Sequence, residues 1–168
     1  MPHGKLMRTL EDKIKSVSEL KSILRKIKSC GQTIVFTNGC FDIIHYGHVK
    51  YLQEAKKLGD ILVVGINTDS SVKKIKGPDR PVNNQKDRVG VISGLESVDF
   101  VVTFSEKTPA NLIKALKPDF LVKGADWSTK NIVGADFIKS YGGRVRTIKL
   151  LPGRSTSQII NKIAKSCR

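Results

Sequence analysis

The chain has 168 residues, with 30 Lys+Arg against 15 Asp+Glu for a formal net charge of +15, and 39% of it is hydrophobic. That length makes one domain able to bury about 70% of its unfolded surface, and the composition excludes collagenous, coiled-coil and disordered chains. No run of ~18 apolar residues exists, so no membrane span is expected, and MPHGKLMRTLEDK lacks the apolar core of a signal peptide.

Residues 1–30 read as a helical extension on the edge of the molecule, and 31–168 as the main domain. Ser16-Val-Ser-Glu19 fits a capping box, Leu20, Ile23, Leu24 and Ile27 share one helical face, and Gly31 is a stop. TIVFT at 33–37 is a buried strand. Residues 47–58 have helical periodicity through Val49, Leu52, Ala55 and Leu58 and stop at Gly59. ILVVGI at 61–66 is a second buried strand. The stretch from Asp69 to Asn84, rich in Lys, Gly and Pro, reads as an irregular polar loop. A helix over 85–95, a strand over 99–104, a helix over 109–117 and a strand over 119–123 follow. A helix over 132–140, a strand over 144–150 and a helix from Ser155 to Ala164 complete the chain.

Strands that are apolar throughout are buried on both faces, and their alternation with helices implies parallel pairing. The fold class is therefore α/β, with a doubly wound parallel sheet. Ligands of such sheets lie beyond the carboxyl ends of the strands, at the switch point. That singles out Asn38–His48, Asn67–Asp69, Gly124–Trp127 and Pro152–Ser157.

Neither G-x-x-x-x-G-K-[ST] nor a G-x-G-x-x-G after a strand is present, which excludes a P-loop and leaves a dinucleotide fold unsupported. Instead His45 and His48 stand three apart where the helix after the first strand begins, with Gly47 between them. That spacing puts both rings on one side, beside the free N–H groups of the helix start, and makes an anion site suited to phosphates. Two alternatives are a structural role and a zinc site made of Cys40, His45 and His48. No fourth ligand is spaced to complete the zinc site, and H-E-x-x-H is absent. Near the carboxyl end, Gly153-Arg-Ser-Thr-Ser157 leads into the last helix, where hydroxyls, free N–H groups and Arg154 suit a second phosphate contact. Cys30, Cys40 and Cys167, far apart and without a C-x-x-C pair, exclude a disulfide framework and favour a reducing cytoplasm.

With H-x-G-H after strand one and S-T-S near its end, the chain resembles the cytidylyltransferase-like nucleotidyltransferases. TNGCFDIIHYGHVKYLQEAKKLGD, VGINTDSSVKKIKGPDRPVN, Asp87-Arg88, LESVDFVV, LKPDFLVKGADW and GRSTSQII narrow this. Over about 31–165 they are similar to the heptose 1-phosphate adenylyltransferases. The resemblance implies a Rossmann-like nucleotidyltransferase fold and transfer of an adenylyl group from ATP to D-glycero-β-D-manno-heptose 1-phosphate. ADP-heptose and pyrophosphate would result, for lipopolysaccharide core or surface-glycan precursors.

It also assigns roles to residues. His45, His48, Lys50 and Arg88 would be catalytic. Thr37, Asn38, Gly39, Cys40, Phe41, Asn67, Asp69, Lys123, Gly124, Asp126, Ser155, Thr156 and Ser157 would bind the nucleotide, and Asp42 and Arg80 the sugar phosphate. Mg²⁺ would arrive on ATP, no metal ligand being expected from the protein. The partners implied are ATP and a sugar 1-phosphate, with a homodimer as the assembly and neither nucleic acid nor membrane.

Two other readings compete. One is a cytidylyltransferase acting on glycerol phosphate or a similar alcohol phosphate. The other is a nucleic-acid-binding α/β module using its +15 charge, although only ten of its residues are Phe, Trp or Tyr and no stacking platform is visible. Glycerol-phosphate cytidylyltransferases carry an arginine before their S-T-T turn, where this chain has Leu151-Pro152-Gly153.

Overall fold

The computed structural model describes residues 9–125 and 132–166. Two helices open it, α1 (Leu10–Lys13) and α2 (Val17–Ser29), followed by β1 (Ile34–Gly39), α3 (Tyr46–Lys56), β2 (Ile61–Asn67), α4 (Asp69–Lys76) and α5 (Gln85–Ser93). Then come β3 (Phe100–Phe104), α6 (Ala110–Leu116), β4 (Phe120–Gly124), α7 (Ala135–Ser140), β5 (Arg144–Ile148) and α8 (Thr156–Ser166). The five strands form one parallel sheet in the order β3-β2-β1-β4-β5. The chain winds outward from β1 to β3, then crosses back to β4 beside β1, so the switch point lies between β1 and β4.

Each central strand alternates between two cores. Ile34, Phe36, Ile61 and Val63 face one, shared with α2, α6 and α7. Val35, Leu62, Val64 and Ile66 face the other, shared with α3 and α5. That is the physical meaning of the unbroken apolar runs: both strand faces are buried, so neither face of these runs is left to solvent.

Three aspartates close the amino-terminal edge of the sheet. Asp60 accepts the Thr33 N–H at 2.8 Å, Asp99 the Leu62 N–H at 2.7 Å, and Asp119 the Ile34 N–H at 2.8 Å. Each precedes an apolar strand in the sequence and satisfies an N–H at or beside the start of the neighbouring strand, which would otherwise be orphaned.

Two features differ from the sequence reading. Asp69–Lys76, expected to be irregular, is a helix, because Thr68 caps it by accepting the Ser71 N–H at 3.3 Å and Val72 is buried on its inner face. Only the part from Gly77 (φ +101°) to Asn84 is irregular. Nor is the amino-terminal stretch an appendage. α2 begins with the Ser16–Glu19 capping box, and its Leu20 and Leu24 lie in the core under α6 and β3. Ile14 pairs with Val101, and the Lys15 N–H donates to Val101 O at 3.0 Å, so the first helices cover the outer edge of β3.

The packing of α2 is testable. Leu24 is 2% exposed, and truncation at a site so enclosed costs about 2–5 kcal/mol through lost transfer energy and a residual cavity. Urea unfolding of Leu24→Ala should show that loss, whereas a loss of about 0.5 kcal/mol or less is what a peripheral helix predicts.

Candidate active site

A cleft of about 510 Å³ opens at the carboxyl edge of the sheet, over the switch point. The ends of β1 and β4 form its floor, where Lys123 donates from Nζ to Asn38 Oδ1. Asn38, Gly39, Cys40 and Phe41 line it, as do Asn67 and Gly124. The turn after β1 is strained: Phe41 sits at φ +46°, a conformation costing a bulky residue of order 1–3 kcal/mol. Its ring is nonetheless buried and meets His48 edge-on at 5.3 Å between centroids.

His45 stands in extended conformation at the N-cap of α3 without capping it, which leaves its ring free to lie over the next turn. The His45 and His48 rings stack with centroids 3.9 Å apart and planes inclined by 24°. Gly47 makes this possible. A Cβ there would lie 2.9 Å from His45 Nδ1 and 3.1 Å from the Arg154 Cβ, so the glycine is the gap into which the ring and Arg154 pack. Burial, with a smaller contribution from His45, pushes the His48 imidazole down to about 4; burial and then Arg154 lower His45 too. Both rings are therefore neutral at physiological pH.

The start of α8 joins the cleft from the other side. Ser155 caps the helix, its Oγ accepting the Gln158 N–H at 3.2 Å, and Thr156 donates from Oγ1 to Ile43 O at 3.1 Å. That second bond ties the carboxyl-terminal turn to the β1–α3 loop and brings Ser155, Thr156 and Ser157 to the cleft with the histidines.

Several residues expected in the site have other work. Thr37 is buried below it, bonded through Oγ1 to the Tyr51 hydroxyl at 2.8 Å and to Val122 O at 3.0 Å. Lys50 pairs with Glu54 at 3.2 Å along α3 and is not among the lining residues. Arg88, expected to be catalytic, is wholly buried. Its guanidinium donates to Cys40 O at 2.5 Å, Asn67 O at 2.8 Å, Asn83 O at 3.1 Å and Asp69 Oδ1 at 2.8 Å, so it reaches no phosphate. Asp69 accepts that bond and the Gln85 N–H at 3.1 Å, away from the cleft.

Asp42 is at the rim but fully committed, accepting from Arg80 Nε at 2.6 Å and from the Val82 and Asn83 N–H groups at 2.9 and 2.8 Å. These bonds hold its carboxyl below the usual carboxylate range despite the opposing effect of burial. It anchors the 80–83 loop. Arg80 does line the cleft, though its Nε is engaged by that same carboxylate. Asp126 lies outside the described residues, as does Trp127.

The structure adds Ile75 and Lys76 from α4, Lys107 and Thr108 from the β3–α6 loop, and apolar Ile132, Val133, Leu150 and Leu151. Lys107 and Thr108 were within reach of the rule that sites follow strand ends, applied to β3. Ile75 and Lys76 were hidden by reading α4 as a loop. Among the described residues, five cations (Lys76, Arg80, Lys107, Lys123 and Arg154) thus face the cleft against one carboxylate, Asp42. Such a field attracts polyanions.

Among the described residues no three His, Cys, Asp or Glu side chains cluster as metal ligands, so Cys40, His45 and His48 do not form the zinc site considered above. The Cys40 thiol instead faces Asn67 Oδ1 at 4.0 Å, and burial raises it above its ordinary value. No helix of the described residues is long and apolar enough to cross a membrane.

The comparisons with known proteins agree with this geometry. Residues 36–161 match the Cytidylyltransferase-like family model. The chain is 56% identical over 153 residues to the Bifunctional protein HldE of Campylobacter fetus, covering 91% of this chain and 32% of that protein. It is 51% identical over 156 residues to the Bifunctional protein HldE of Wolinella succinogenes, covering 93% and 32%. It therefore spans about a third of the length of these curated relatives. Among solved structures, a lipopolysaccharide core biosynthesis protein from Thermoplasma volcanium superposes with a TM-score of 0.58 at 32% identity, covering 72% of this chain and 98% of that one. A pantoate-beta-alanine ligase from Francisella tularensis, at 17% identity and a TM-score of 0.57 over 90% and 77% of the chains, shares the fold alone. An H-x-G-H turn and an S-T-S turn facing one cleft at the switch point of a parallel sheet, with a family model matching most of the chain, are sufficient: the chain belongs to the cytidylyltransferase-like family of nucleotidyltransferases.

Proposed function

We propose that the cleft transfers the adenylyl group of ATP to D-glycero-β-D-manno-heptose 1-phosphate, giving ADP-heptose and pyrophosphate, as a cytoplasmic step in lipopolysaccharide or surface-glycan precursor synthesis. The observation that carries this is the pairing of the stacked histidines with the Ser155–Ser157 turn among five cations. Similarity to the HldE proteins and to a lipopolysaccharide core biosynthesis protein supports the heptose over other acceptors.

A phosphate monoester, with a second pKa near ~6, is already a dianion at neutral pH. Its oxygen can attack the α-phosphorus without a general base. One P–O bond forms as the bond from the α-phosphorus to the bridging oxygen breaks, and pyrophosphate departs with that electron pair. What the protein must supply is alignment and donors for the charge that builds on the phosphoryl oxygens. His45, His48, Lys123, Arg154 and the α8 start surround that position. Arg88 contributes from beneath by holding the Cys40, Asn67 and Asn83 carbonyls, which keeps those dipoles engaged away from the anion. Magnesium carried on the triphosphate would add charge neutralisation. Because Asp42 is already committed to Arg80, Val82 and Asn83, ATP rather than the described part of this chain would carry the ion.

Base selection belongs to the apolar part of the lining. Ile132, Val133, Leu150 and Leu151 supply it, and Leu151-Pro152-Gly153 carries no arginine. A flat purine gains from such a wall, whereas cytosine would find fewer partners for its polar edge.

Two outcomes follow. Replacing His48 by Ala should lower turnover by about 10²–10³-fold, the loss of one preorganised donor, while ATP binding changes far less; near-normal turnover, measured as pyrophosphate release, would remove the histidines from the reaction. With heptose 1-phosphate as acceptor, ATP should be preferred to CTP by at least ~10-fold in kcat/KM, about 1.4 kcal/mol of discrimination. Equal or better rates with CTP would overturn the adenylyl assignment and leave the nucleotidyltransferase one standing.

A further inference from the structure

We infer that His45 and His48 act as uncharged hydrogen-bond donors through Nε2 and remain neutral while the cleft holds a polyphosphate, so that the charge met by the phosphates comes from the surrounding cations alone. This rests on the reading of the cleft as a phosphate site and specifies how its central pair works.

The first observation is the state of the two inner nitrogens. Nδ1 of His45 and Nδ1 of His48 are both buried and have no hydrogen-bond partner among the described residues. An imidazolium carries a proton on each nitrogen. Protonating either ring would thus bury an N–H with no acceptor, which costs more than leaving a bare ring nitrogen there. The neutral form with its proton on Nε2 avoids this.

The second is the stacking. With ring centroids 3.9 Å apart, two imidazolium charges would face each other at contact distance, so a doubly charged pair is excluded on Coulombic grounds. The surroundings then weigh against even one charge. Arg154, from the turn before α8, packs on Gly47 beside His45. The β1–α3 turn presents the Phe41 ring edge to His48, and its Asp42 is neutralised by Arg80. On α3 itself Lys50 is taken by Glu54, and on β4 Lys123 points to Asn38. No carboxylate among these groups is available to stabilise an imidazolium. Burial keeps His48 near 4 before any ligand arrives.

A bound polyphosphate would pull the pair upward, and the magnitude of the opposing charge decides the outcome. Among the described lining residues, five cations less one carboxylate leave +4, close to the about −4 of a triphosphate. The net field left to recruit a proton is therefore small.

The test uses the full chain labelled with ¹⁵N-histidine, titrated by NMR with and without inorganic tripolyphosphate, the His45 and His48 signals being told from that of His3 with His45→Gln and His48→Gln. Tripolyphosphate should shift both ring signals while each keeps the Nε2–H neutral pattern, with titration midpoints below the ordinary imidazole value of about 6.5. A bound midpoint above that value for either ring, or an Nδ1–H tautomer, would overturn the inference and leave the phosphate site intact. Signals unmoved by saturating tripolyphosphate would instead overturn the phosphate-site reading, and this inference with it.

Discussion

A guanidinium with no exposed surface must find acceptors for its donors, because an unpaired buried charge is too costly to keep. Arg88 meets that demand with three backbone carbonyls, from Cys40 after β1, Asn67 at the end of β2 and Asn83 before α5, and with one carboxylate, Asp69. Of these, Cys40 and Asn67 line the cleft. Holding the Cys40 carbonyl fixes the turn in which Phe41 takes its left-handed conformation, and Phe41 in turn packs on His48. The same side chain ties α5 to the beginning of α4 through Asp69. Asp42 performs the complementary task from the opposite sign, gathering Arg80 and the Val82 and Asn83 amides, so residues 80–83 of the irregular segment are held by charge-assisted bonds.

The parallel sheet gives the molecule an electrostatic direction. Its amino edge is closed by Asp60, Asp99 and Asp119, each on a backbone N–H, with Lys56 and Lys28 paired to the last two. Its carboxyl edge carries the cation-lined cleft. Carboxylates are thus spent at the end where strand N–H groups need acceptors, and the opposite end is left positive. Among the described residues the cleft has few acids, while several of them serve at the opposite edge of the sheet.

Strain and tight packing converge on the same turn. Phe41 at positive φ, a Gly47 with no room for a methyl group, and two ring nitrogens without partners would each be costly in an ordinary loop. They are held here by the buried Phe41 ring, the Thr156–Ile43 hydrogen bond and the Arg88 network. A rigid frame is what positioning catalysis requires, since donors must already stand where charge will develop.

The order and class of the elements were legible in the sequence because they depend on local periodicity: unbroken apolar runs mark strands buried on both faces, and Gly31 and Gly59 mark helix ends. The His45–His48 spacing and the 155–157 turn were legible for the same reason, being short-range patterns at strand ends. What stayed hidden depended on partners distant in the chain. Whether α2 was peripheral turned on the packing of Leu24 under α6, and whether the stretch after Asn67 was a loop turned on Val72 finding a buried place. The duties of Thr37, Asp42 and Arg88 were decided by tertiary contacts 41 to 85 residues away, whereas Lys50 is paired within its own helix. The sequence by itself determined which chemical groups were available and near which strand ends they would lie. Only the tertiary structure decided which of them face the cleft and which are consumed in holding it, because a charged side chain goes to the partner that best offsets its burial, and that partner is set by the fold.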